Sequence, residues 1–444
     1  MDDALSTIYT AHVTVNKLRH DAALKESKFD HAVIFSGALH YQFVDDMPYP
    51  FKVNPHFKMW APVVDNPNCF VIYTPGLKPK LVYYQPVDYW HKVAGTPTES
   101  WVEKFEIVMI ANPDDAKKHM PRGRIAFIGE WDERFASWGD MITPNPEAVM
   151  NSLHFDRAHK TEYEVECIRR ANRRSARGHI AAERAFREGL SEYEIHLAYL
   201  AGADHVDEEL PYGNIIALNE NGATLHYYHH TRERVEEQAL YSFLIDAGAT
   251  YNGYACDVTR TYARKKGEFQ DLIDAMDAMQ LELVAACRPN TNYIDIHLAA
   301  HQKVADILVR FGFVRDIDAA GVVEKKISST FLPHGVGHYL GLQVHDVGGF
   351  MADRSGRTIP KPDGHPYLRL TRTVNPGHVF TIEPGLYFID SLLGELRQSE
   401  NAMYIDWPKV NAFRPYGGIR IEDDIVINEI GNENLTREAF ADVS

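Results

Sequence analysis

The sequence predicts a mixed α/β (α+β) protein with two domains. Up to about residue 158, short apolar segments alternate with helical patterns. A helix-capping signal near residue 160 then opens a long amphipathic helix, and the remaining chain alternates helices with strands rich in glycine, histidine and acidic residues. We therefore expect a smaller N-terminal α/β domain at residues 1–159 and a larger domain at residues 160–444.

The N-terminal domain is predicted from a polar amphipathic helix reaching Lys28 and from five apolar strand segments, HAVIFSG, CFVIYT, KLVYYQP, KFEIVMIA and RIAFIGE. None of these strands carries a cluster of potential ligands. The loop from Val44 to Trp60 combines acids, aromatics and prolines, so we expect no regular helix there. A surface loop packed by its own aromatic side chains is the simpler interpretation of this segment.

The second domain opens with two capping boxes. Thr161 with Glu164 begins a long helix that ends at Gly189, and Ser191 with Glu194 begins the next helix in the same way. Two more helices are predicted at Leu272–Ala286 and Tyr293–Phe311.

The segment SFLIDAGATYNGYACDVTRTY, residues 242–262, predicts a β-hairpin because its Asn-Gly pair is flanked by apolar runs. Centring the turn on that pair places Asp246 opposite Thr259 and Asp257 opposite Gly248. Asp246 and Asp257 are then diagonal neighbours on one face, with backbones roughly 7–8 Å apart. Two carboxylates on one buried face repel each other unless a cation lies between them, so the hairpin predicts half of a metal site.

Four other segments carry polar groups in patterns that favour chemistry. PHGVGHYLGLQVHD contains three histidines interleaved with glycines, and these glycines argue against a regular helix. VFTIEPGLYF places Glu383 at the end of an apolar strand, before a turn. GGIRIEDDIVI puts Arg420 and Glu422 on one face of a strand, for which a salt-bridged edge strand is the alternative interpretation. In NGATLHYYHH, His226 follows a predicted turn.

Composition excludes several classes of function. The formal charge of 46 − 62 = −16 disfavours a nucleic-acid partner. No apolar run reaches the ~18 residues of a membrane span, and the sequence starts without the features of a secretory signal, so we expect no membrane and a cytoplasmic location. The four cysteines are widely spread and contain no CxxC pair, which favours reduced thiols: Cys69, Cys167, Cys256 and Cys287.

Together the hairpin and these segments supply four carboxylates and one imidazole on or near strand ends: Asp246, Asp257, His338, Glu383 and Glu422. This set suits two divalent ions bridged by shared carboxylates at roughly 3.5–4 Å. Its many oxygen ligands favour manganese, cobalt or magnesium over a structural zinc site. A water bridging two such ions is acidic enough to act as hydroxide near neutral pH, so the site is predicted to be hydrolytic.

The motifs DAGATYNGYACDVTRT, HGVGHYLGLQVHD, TIEPG and IRIEDD resemble, in type and order, those of the creatinase/aminopeptidase/prolidase metallopeptidases, whose catalytic domain has the "pita-bread" fold. Within that family the similarity is to bacterial prolidases and the related organophosphorus acid anhydrolases, and it covers essentially the whole chain. The resemblance implies a pita-bread catalytic domain at residues 160–444 and two Mn²⁺ ions per subunit, with Co²⁺ as a possible substitute. The five ligands named above would hold them, Asp257 and Glu422 as bridges.

The resemblance also implies roles for other side chains. Glu383 would take the proton of the bridging water, Arg420 would orient the site, and two histidines would hold the substrate carbonyl: His226 and His345. Arg369 would bind the free carboxylate of a dipeptide. Further residues are expected near the substrate: Tyr212, Tyr367 and His334, with core packing as the alternative for the two tyrosines. Asp45 and its loop would reach the partner subunit's site in a homodimer.

The function that this resemblance implies is hydrolysis of Xaa-Pro dipeptides at the imide bond before a C-terminal proline, by the hydroxide between the metals. Organophosphorus acid anhydrolase activity in the same site is the first alternative, because a phosphoryl group could replace the carbonyl. A pita-bread protein that only binds peptides is a second alternative, although such a protein would be expected to lose ligands. A creatinase-like reaction needs no dinuclear site, so the full ligand set argues against it.

Overall fold

The computed structural model describes residues 2–139 and 141–443, which form two compact units. The first unit comprises the chain up to Cys167 together with two short segments, Asn252–Tyr254 and Met351–Thr358. The second comprises Ile168–Tyr251, Ala255–Phe350 and the chain from Ile359 onward. Both contain helices and strands, which confirms the α/β fold class. The proposed boundary between residues 159 and 160 stays a prediction.

The first unit is built around one six-stranded sheet with the strand order β4-β3-β2-β1-β5-β6. Strand β1 pairs antiparallel with β2 and parallel with β5. The elements, in chain order, are α1 Asp3–Ser27, β1 His31–Phe35, α2 Pro55–Lys58, β2 Phe70–Tyr73, β3 Lys80–Tyr84, β4 Glu106–Ile110, β5 Arg124–Ile128, β6 Met141–Pro144 and α3 Glu147–Arg157.

All five predicted strands of this sheet are present, because each apolar run supplies side chains to a buried core that includes Val33, Phe70 and Phe127. Strand β6 was not predicted. It is a short edge strand that ends in Pro144 and is largely exposed, so it lacks the apolar pattern of its neighbours. The expectation of no regular helix between Val44 and Trp60 is wrong for one turn, α2, where Asn54 caps the helix and a proline occupies its first position.

The second unit contains the remaining elements. Its helices are α4 Glu162–Arg187, α5 Glu192–Ala203, α6 Glu268–Ala286, α7 Tyr293–Arg310, α8 Ala319–Glu324, α9 Ile327–Phe331, α10 Asp390–Gln398, α11 Trp407–Phe413 and α12 Leu435–Val443. Its strands are β7 Ile215–Leu218, β8 Ser242–Asp246, β9 Thr250–Tyr251, β10 Tyr254–Ala255, β11 Thr259–Ala263, β12 Val379–Ile382, β13 Gly385–Tyr387, β14 Gly418–Arg420, β15 Asp423–Ile427 and β16 Asn432–Asn434. The first six residues of α4 and the first residue of β10, Tyr254, belong to the first unit.

Small antiparallel sheets position the predicted site. Their strand orders are β11-β8-β7, β12-β15-β16 and β13-β14. The predicted hairpin register is confirmed, because Thr259 pairs with Asp246 across β11 and β8. Asn252 and Gly253 both have positive φ, at 49° and 83°, as a tight turn of this kind requires. Across the described residues, no helix is both long and apolar enough to span a membrane.

Candidate metal centre

The predicted ligands come from separate segments of the second unit. Each acid lies where a strand begins or ends, so its side chain can leave the sheet: Asp246 ends β8, Asp257 lies between β10 and β11, Glu383 follows β12, and Glu422 lies between β14 and β15. The imidazole comes from a glycine-rich loop after α9 that contains His338. The structure therefore brings together residues that are far apart in sequence.

Gly337 allows the histidine loop to lie directly against β12. Its φ is 156°, and a Cβ at this position would overlap the carbonyl oxygen of Thr381 and the hydroxyl of Tyr293. The backbone of His338 is hydrogen-bonded to the same strand: the Thr381 N–H donates to the His338 carbonyl at 3.0 Å. The small residue thus fixes the position of the ligand that follows it.

Three of the predicted ligands, Asp257, His338 and Glu422, present atoms that all lie within 4.8 Å of one another. The His338 Nε2 atom lies 3.4 Å from Asp257 Oδ2 and 3.5 Å from Glu383 Oε1. All four of these side chains also line one cavity together with Asp246. The structure therefore places the predicted ligands around a common space.

One carboxylate oxygen of Asp246 accepts a hydrogen bond and the other does not. Its Oδ2 atom accepts a hydrogen bond from Arg420 Nη2 at 2.7 Å. Its Oδ1 atom is buried and has no hydrogen-bond partner within the described part of the chain. A buried carboxylate oxygen without a partner is costly, and a cation would satisfy it.

Neighbouring side chains hold two of the predicted ligands by hydrogen bonds. The Tyr212 hydroxyl donates to Asp257 Oδ1 at 2.5 Å, and the Thr259 hydroxyl donates to Glu422 Oε2 at 2.7 Å. Arg420 also contacts Thr259 Oγ1 through Nε at 3.3 Å. Such partners fix the rotamers of ligating groups and tune their affinity for metal.

Three carboxyl groups of the cluster have raised pKa values, which indicates that they lack compensating positive charge. Burial raises the pKa of Asp246, and burial together with Asp257 and Glu383 raises the pKa of Glu422 well above its usual range. Burial likewise raises the pKa of Glu383 to about 7. Burial alone would lower the pKa of His338, but its contacts with Asp257 and Glu383 outweigh this and raise it to about 9. Divalent cations would stabilise all of these carboxylates in the charged form.

The cavity beside the cluster has a volume of about 830 Å³. The predicted residues that line it, besides the ligands, are His226, His334, His345, Tyr367, Arg369 and Arg420. His345 packs edge-on against His338 with ring centroids 4.3 Å apart, and burial together with His338 lowers the pKa of His345 to about 4. A neutral imidazole can donate one hydrogen bond toward a substrate oxygen.

Two predicted substrate residues lie elsewhere. Tyr212 is half-buried beside Asp257 and is not among the residues that line the cavity, so its observed contact is with a predicted metal ligand. Asp45 belongs to an exposed loop of the first unit, where its carboxylate accepts hydrogen bonds from the backbone N–H groups of Asp46 and Met47. Its role at a partner's site stays a prediction.

Sequence reasoning missed two residues of this site. The Tyr387 hydroxyl contacts Arg420 Nη1 at 2.9 Å and His334 Nε2 at 2.8 Å, so it connects two predicted site residues. Strand alternation after Glu383 could have indicated it, because residues 383, 385 and 387 share one face. Lys361 also lines the cavity and adds a third cationic side chain to Arg369 and Arg420. It lies in a loop without periodicity, and no local pattern marks it.

Comparison with known proteins identifies the family. The model of the Xaa-Pro dipeptidase N-terminal domain matches residues 7–155, and that of metallopeptidase family M24 matches residues 166–429. The chain belongs to metallopeptidase family M24. This M24 chain is 49% identical over 443 residues to the Xaa-Pro dipeptidase of Pseudoalteromonas haloplanktis, covering 99% of this chain and 100% of that protein. It is also 49% identical over 438 residues to the Xaa-Pro dipeptidase of Shewanella oneidensis, covering 98% and 99%.

Solved structures support the fold. Aminopeptidase P of Escherichia coli has a TM-score of 0.70 to this M24 chain at 23% identity, covering 95% of this chain and 96% of that one. An aminopeptidase of Pseudomonas aeruginosa has a TM-score of 0.73 at 20% identity, covering 97% of both chains. The expected architecture is confirmed: an N-terminal domain is followed by a pita-bread M24 domain.

The family implies a dinuclear divalent metal site, and the residues present fit it. The unpartnered Asp246 oxygen, the close grouping of Asp257, His338 and Glu422, and the raised carboxyl pKa values are the features that two cations would explain.

Proposed function

We infer that this chain hydrolyses Xaa-Pro dipeptides in a metal-dependent reaction. The observation that carries this inference is the group of four carboxylates and one imidazole that opens into a cavity lined by three cationic side chains, Arg369, Arg420 and Lys361. Relatives of nearly the same length, 49% identical, are Xaa-Pro dipeptidases. A proline imide lacks an N–H group, so its hydrolysis calls for a site shaped for that bond.

The residues proposed to hold two divalent ions are Asp246, Asp257, His338, Glu383 and Glu422. When bound, such ions supply Lewis-acid polarisation and a nucleophilic water at neutral pH. We propose Mn²⁺ as the metal, with Co²⁺ as a substitute, because oxygen ligands predominate in the set. In this arrangement Asp257 and Glu422 are the carboxylates proposed as bridges.

Protein side chains would transfer the proton, stabilise the substrate carbonyl oxygen and position the site. Glu383 lines the cavity, and as a carboxylate it would accept a proton from the attacking water. His226 and His345 would donate hydrogen bonds to the substrate carbonyl oxygen as negative charge develops on it. Arg420 holds Asp246 at 2.7 Å and so keeps the site's geometry fixed before substrate binds.

Arg369 is proposed to bind the free carboxylate of the dipeptide, with Tyr367 and His334 near the substrate. We expect Arg369→Gln to raise KM for glycyl-proline by about 10- to 150-fold, the cost of a lost charge-assisted hydrogen bond of roughly 1.5–3 kcal/mol. Glycyl-prolinamide lacks the negative charge of the free carboxylate, so wild type and Arg369→Gln should have similar KM values for it.

The assay is release of the amino-terminal residue from a panel of Xaa-Pro substrates, with and without added Mn²⁺. Arg310→Gln is the matched control, since Arg310 is exposed on α7 and lies outside the cavity. No turnover of any Xaa-Pro dipeptide by the Mn²⁺-loaded protein would contradict the proposed function. An equal KM effect on the acid and the amide would contradict only the role of Arg369.

Organophosphorus acid anhydrolase activity in the same site stays a prediction, tested with diisopropyl fluorophosphate. Cleavage of that compound without turnover of any dipeptide would move the assignment to the anhydrolase. Retention of fewer than about two ions per chain after Mn²⁺ loading would instead favour a protein that only binds peptides.

We further propose a cytoplasmic homodimer with a domain boundary between residues 159 and 160. The loop that contains Asp45 supports the dimer, because its apolar side chains are exposed: Phe43 is 95% exposed, Val44 88% and Met47 58%. Light scattering during size-exclusion chromatography tests this proposal. A monomer at micromolar concentration would contradict it, and Phe43→Ser is expected to weaken the dimer.

A further inference from the structure

A second group of metal-ligating side chains lies in the second unit and shares no residue with the ligand cluster described above. It consists of His297, His301 and His365, and one ring nitrogen from each lies within 4.8 Å of the other two. The ring centroids are 4.6–4.8 Å apart. Three imidazoles thus converge on one point, and none of them is a proposed ligand of the dinuclear centre.

Two different elements build this group. His297 and His301 are one turn apart on α7, a spacing that places both side chains on the same helix face. Both are buried. His365 comes from the loop between α9 and β12 and is partly exposed. Two histidines from one helix therefore meet a third histidine from a loop, and only the loop histidine is partly exposed to solvent.

The hydrogen bonds of the group leave buried nitrogens unsatisfied. His297 Nε2 and His365 Nδ1 lie 2.8 Å apart and share one proton, and His301 Nδ1 lies 3.2 Å from the Ser328 hydroxyl. The other ring nitrogens, His297 Nδ1 and His301 Nε2, are buried without a hydrogen-bond partner in the described part of the chain. Because His297 would bind a cation through Nε2, the atom that gains a partner from such a cation is His301 Nε2. Buried polar atoms without partners are uncommon in proteins, and each needs an explanation.

The histidines are also in the protonation state that binds metal. Burial lowers the pKa of His297 to about 2 and that of His301 to about 4. Burial and the nearby Lys326 lower the pKa of His365. All three imidazoles are therefore neutral at pH 7, and a neutral imidazole has the lone pair that a cation requires.

We propose that His297, His301 and His365 form a mononuclear site for a transition-metal cation such as Zn²⁺. The ligand set is entirely imidazole nitrogen, which suits Zn²⁺ and its neighbours rather than Mn²⁺ or Mg²⁺. Zn–N bonds of about 2.0–2.1 Å in a tetrahedron require nitrogens about 3.3 Å apart. The His297 Nε2–His365 Nδ1 pair at 2.8 Å would open slightly, a change that the loop carrying His365 can absorb.

Metal at this site would tie the loop to α7. His365 lies two residues before Tyr367 and four before Arg369, both of which line the cavity of the proposed active site. We therefore expect the site to affect KM for Xaa-Pro dipeptides more than kcat. This consequence rests on the proposed function, whereas metal binding itself does not.

The test counts metal ions on the full chain. Protein loaded with Mn²⁺, then with excess Zn²⁺, and desalted should retain about three ions per chain by mass spectrometry, against about two for His365→Gln and for His301→Gln. His119→Gln, which removes a partly exposed histidine of the first unit, should retain the wild-type number. Melting temperatures measured in parallel check that all three variants fold.

A Co²⁺ titration adds a spectroscopic readout. With Mn²⁺ already bound in the proposed dinuclear centre, wild type should show visible absorption bands of tetrahedral Co²⁺ that are absent from His365→Gln. The proposal is overturned if wild type and both variants retain the same number of ions, or if the bands persist in His365→Gln. The difference of one ion between wild type and variant does not depend on turnover, so failure of the proposed function would leave this test intact.

Discussion

The Thr259 hydroxyl offers a sharp test of how the proposed metal centre is organised. It is fully buried and donates to Glu422 Oε2 at 2.7 Å. Thr259→Val keeps the shape of the side chain and removes this donor. A hydrogen bond to a charged group contributes about 1.5–3 kcal/mol, which equals about 10- to 150-fold in an equilibrium constant. Loss of a partner that orients a metal ligand typically costs 10- to 100-fold in affinity, the same range.

The assay is a competition titration of Mn²⁺ against a chromophoric chelator, at a pH where Glu422 is charged when metal is bound. Thr261→Val is the matched control. Thr261 lies two residues further along β11, on the same face, and its hydroxyl donates to the backbone carbonyl of Arg420 at 3.0 Å rather than to a ligand.

We expect weaker Mn²⁺ binding for Thr259→Val, and a lower melting temperature without a comparable loss of affinity for Thr261→Val. Equal Mn²⁺ affinities for wild type and Thr259→Val, within about twofold, would refute the reasoning and leave Thr259 as ordinary strand packing. A large loss of affinity in the Thr261 variant would show that any disturbance of β11 weakens the site.

Three other changes have defined expectations. Asp257→Asn should abolish dipeptide turnover and metal retention together, and survival of both would contradict the ligand assignment. Gly337→Ala should lower the melting temperature by several degrees, because the added Cβ overlaps the backbone of β12, whereas Gly394→Ala in α10, with no atom within 4 Å of the new Cβ, should be neutral or slightly stabilising. Chelation of divalent ions should lower the melting temperature of wild type, since cations bound only to the folded state stabilise it; an unchanged value would argue against buried ion binding.

Local patterns were sufficient to predict the elements that carry the site. The Asn-Gly turn predicted the register that pairs Asp246 with Thr259, and the helix signals at Thr161 and Ser191 were correct because capping depends on neighbouring residues only. Strand β6 was missed for the opposite reason. It is a four-residue edge strand that ends in a proline and is largely exposed, so its pairing with β5 is decided by the rest of the sheet.

The three consecutive acids of the IRIEDD segment show where sequence reasoning stops. Glu422 lines the cavity. Asp423 instead forms ion pairs with Arg260 and Arg437 at 2.7 and 2.8 Å, and Asp424 accepts a hydrogen bond from Asn172 at 2.9 Å. Strand alternation separates Asp423 from its two neighbours, but only the packed structure distinguishes Glu422 from Asp424.

The sequence by itself determined the fold class, the hairpin register and the residue types of a hydrolytic metal centre, because these follow from turn chemistry, periodicity and the affinity of carboxylates for cations. Tertiary structure alone decided which buried acids are already paired by the protein and which keep an open oxygen, as Asp246 does. It also brought His365 beside His297 and His301 of α7. The physical reason is that charge compensation depends on distances between side chains that are remote in sequence, and only the folded chain sets those distances.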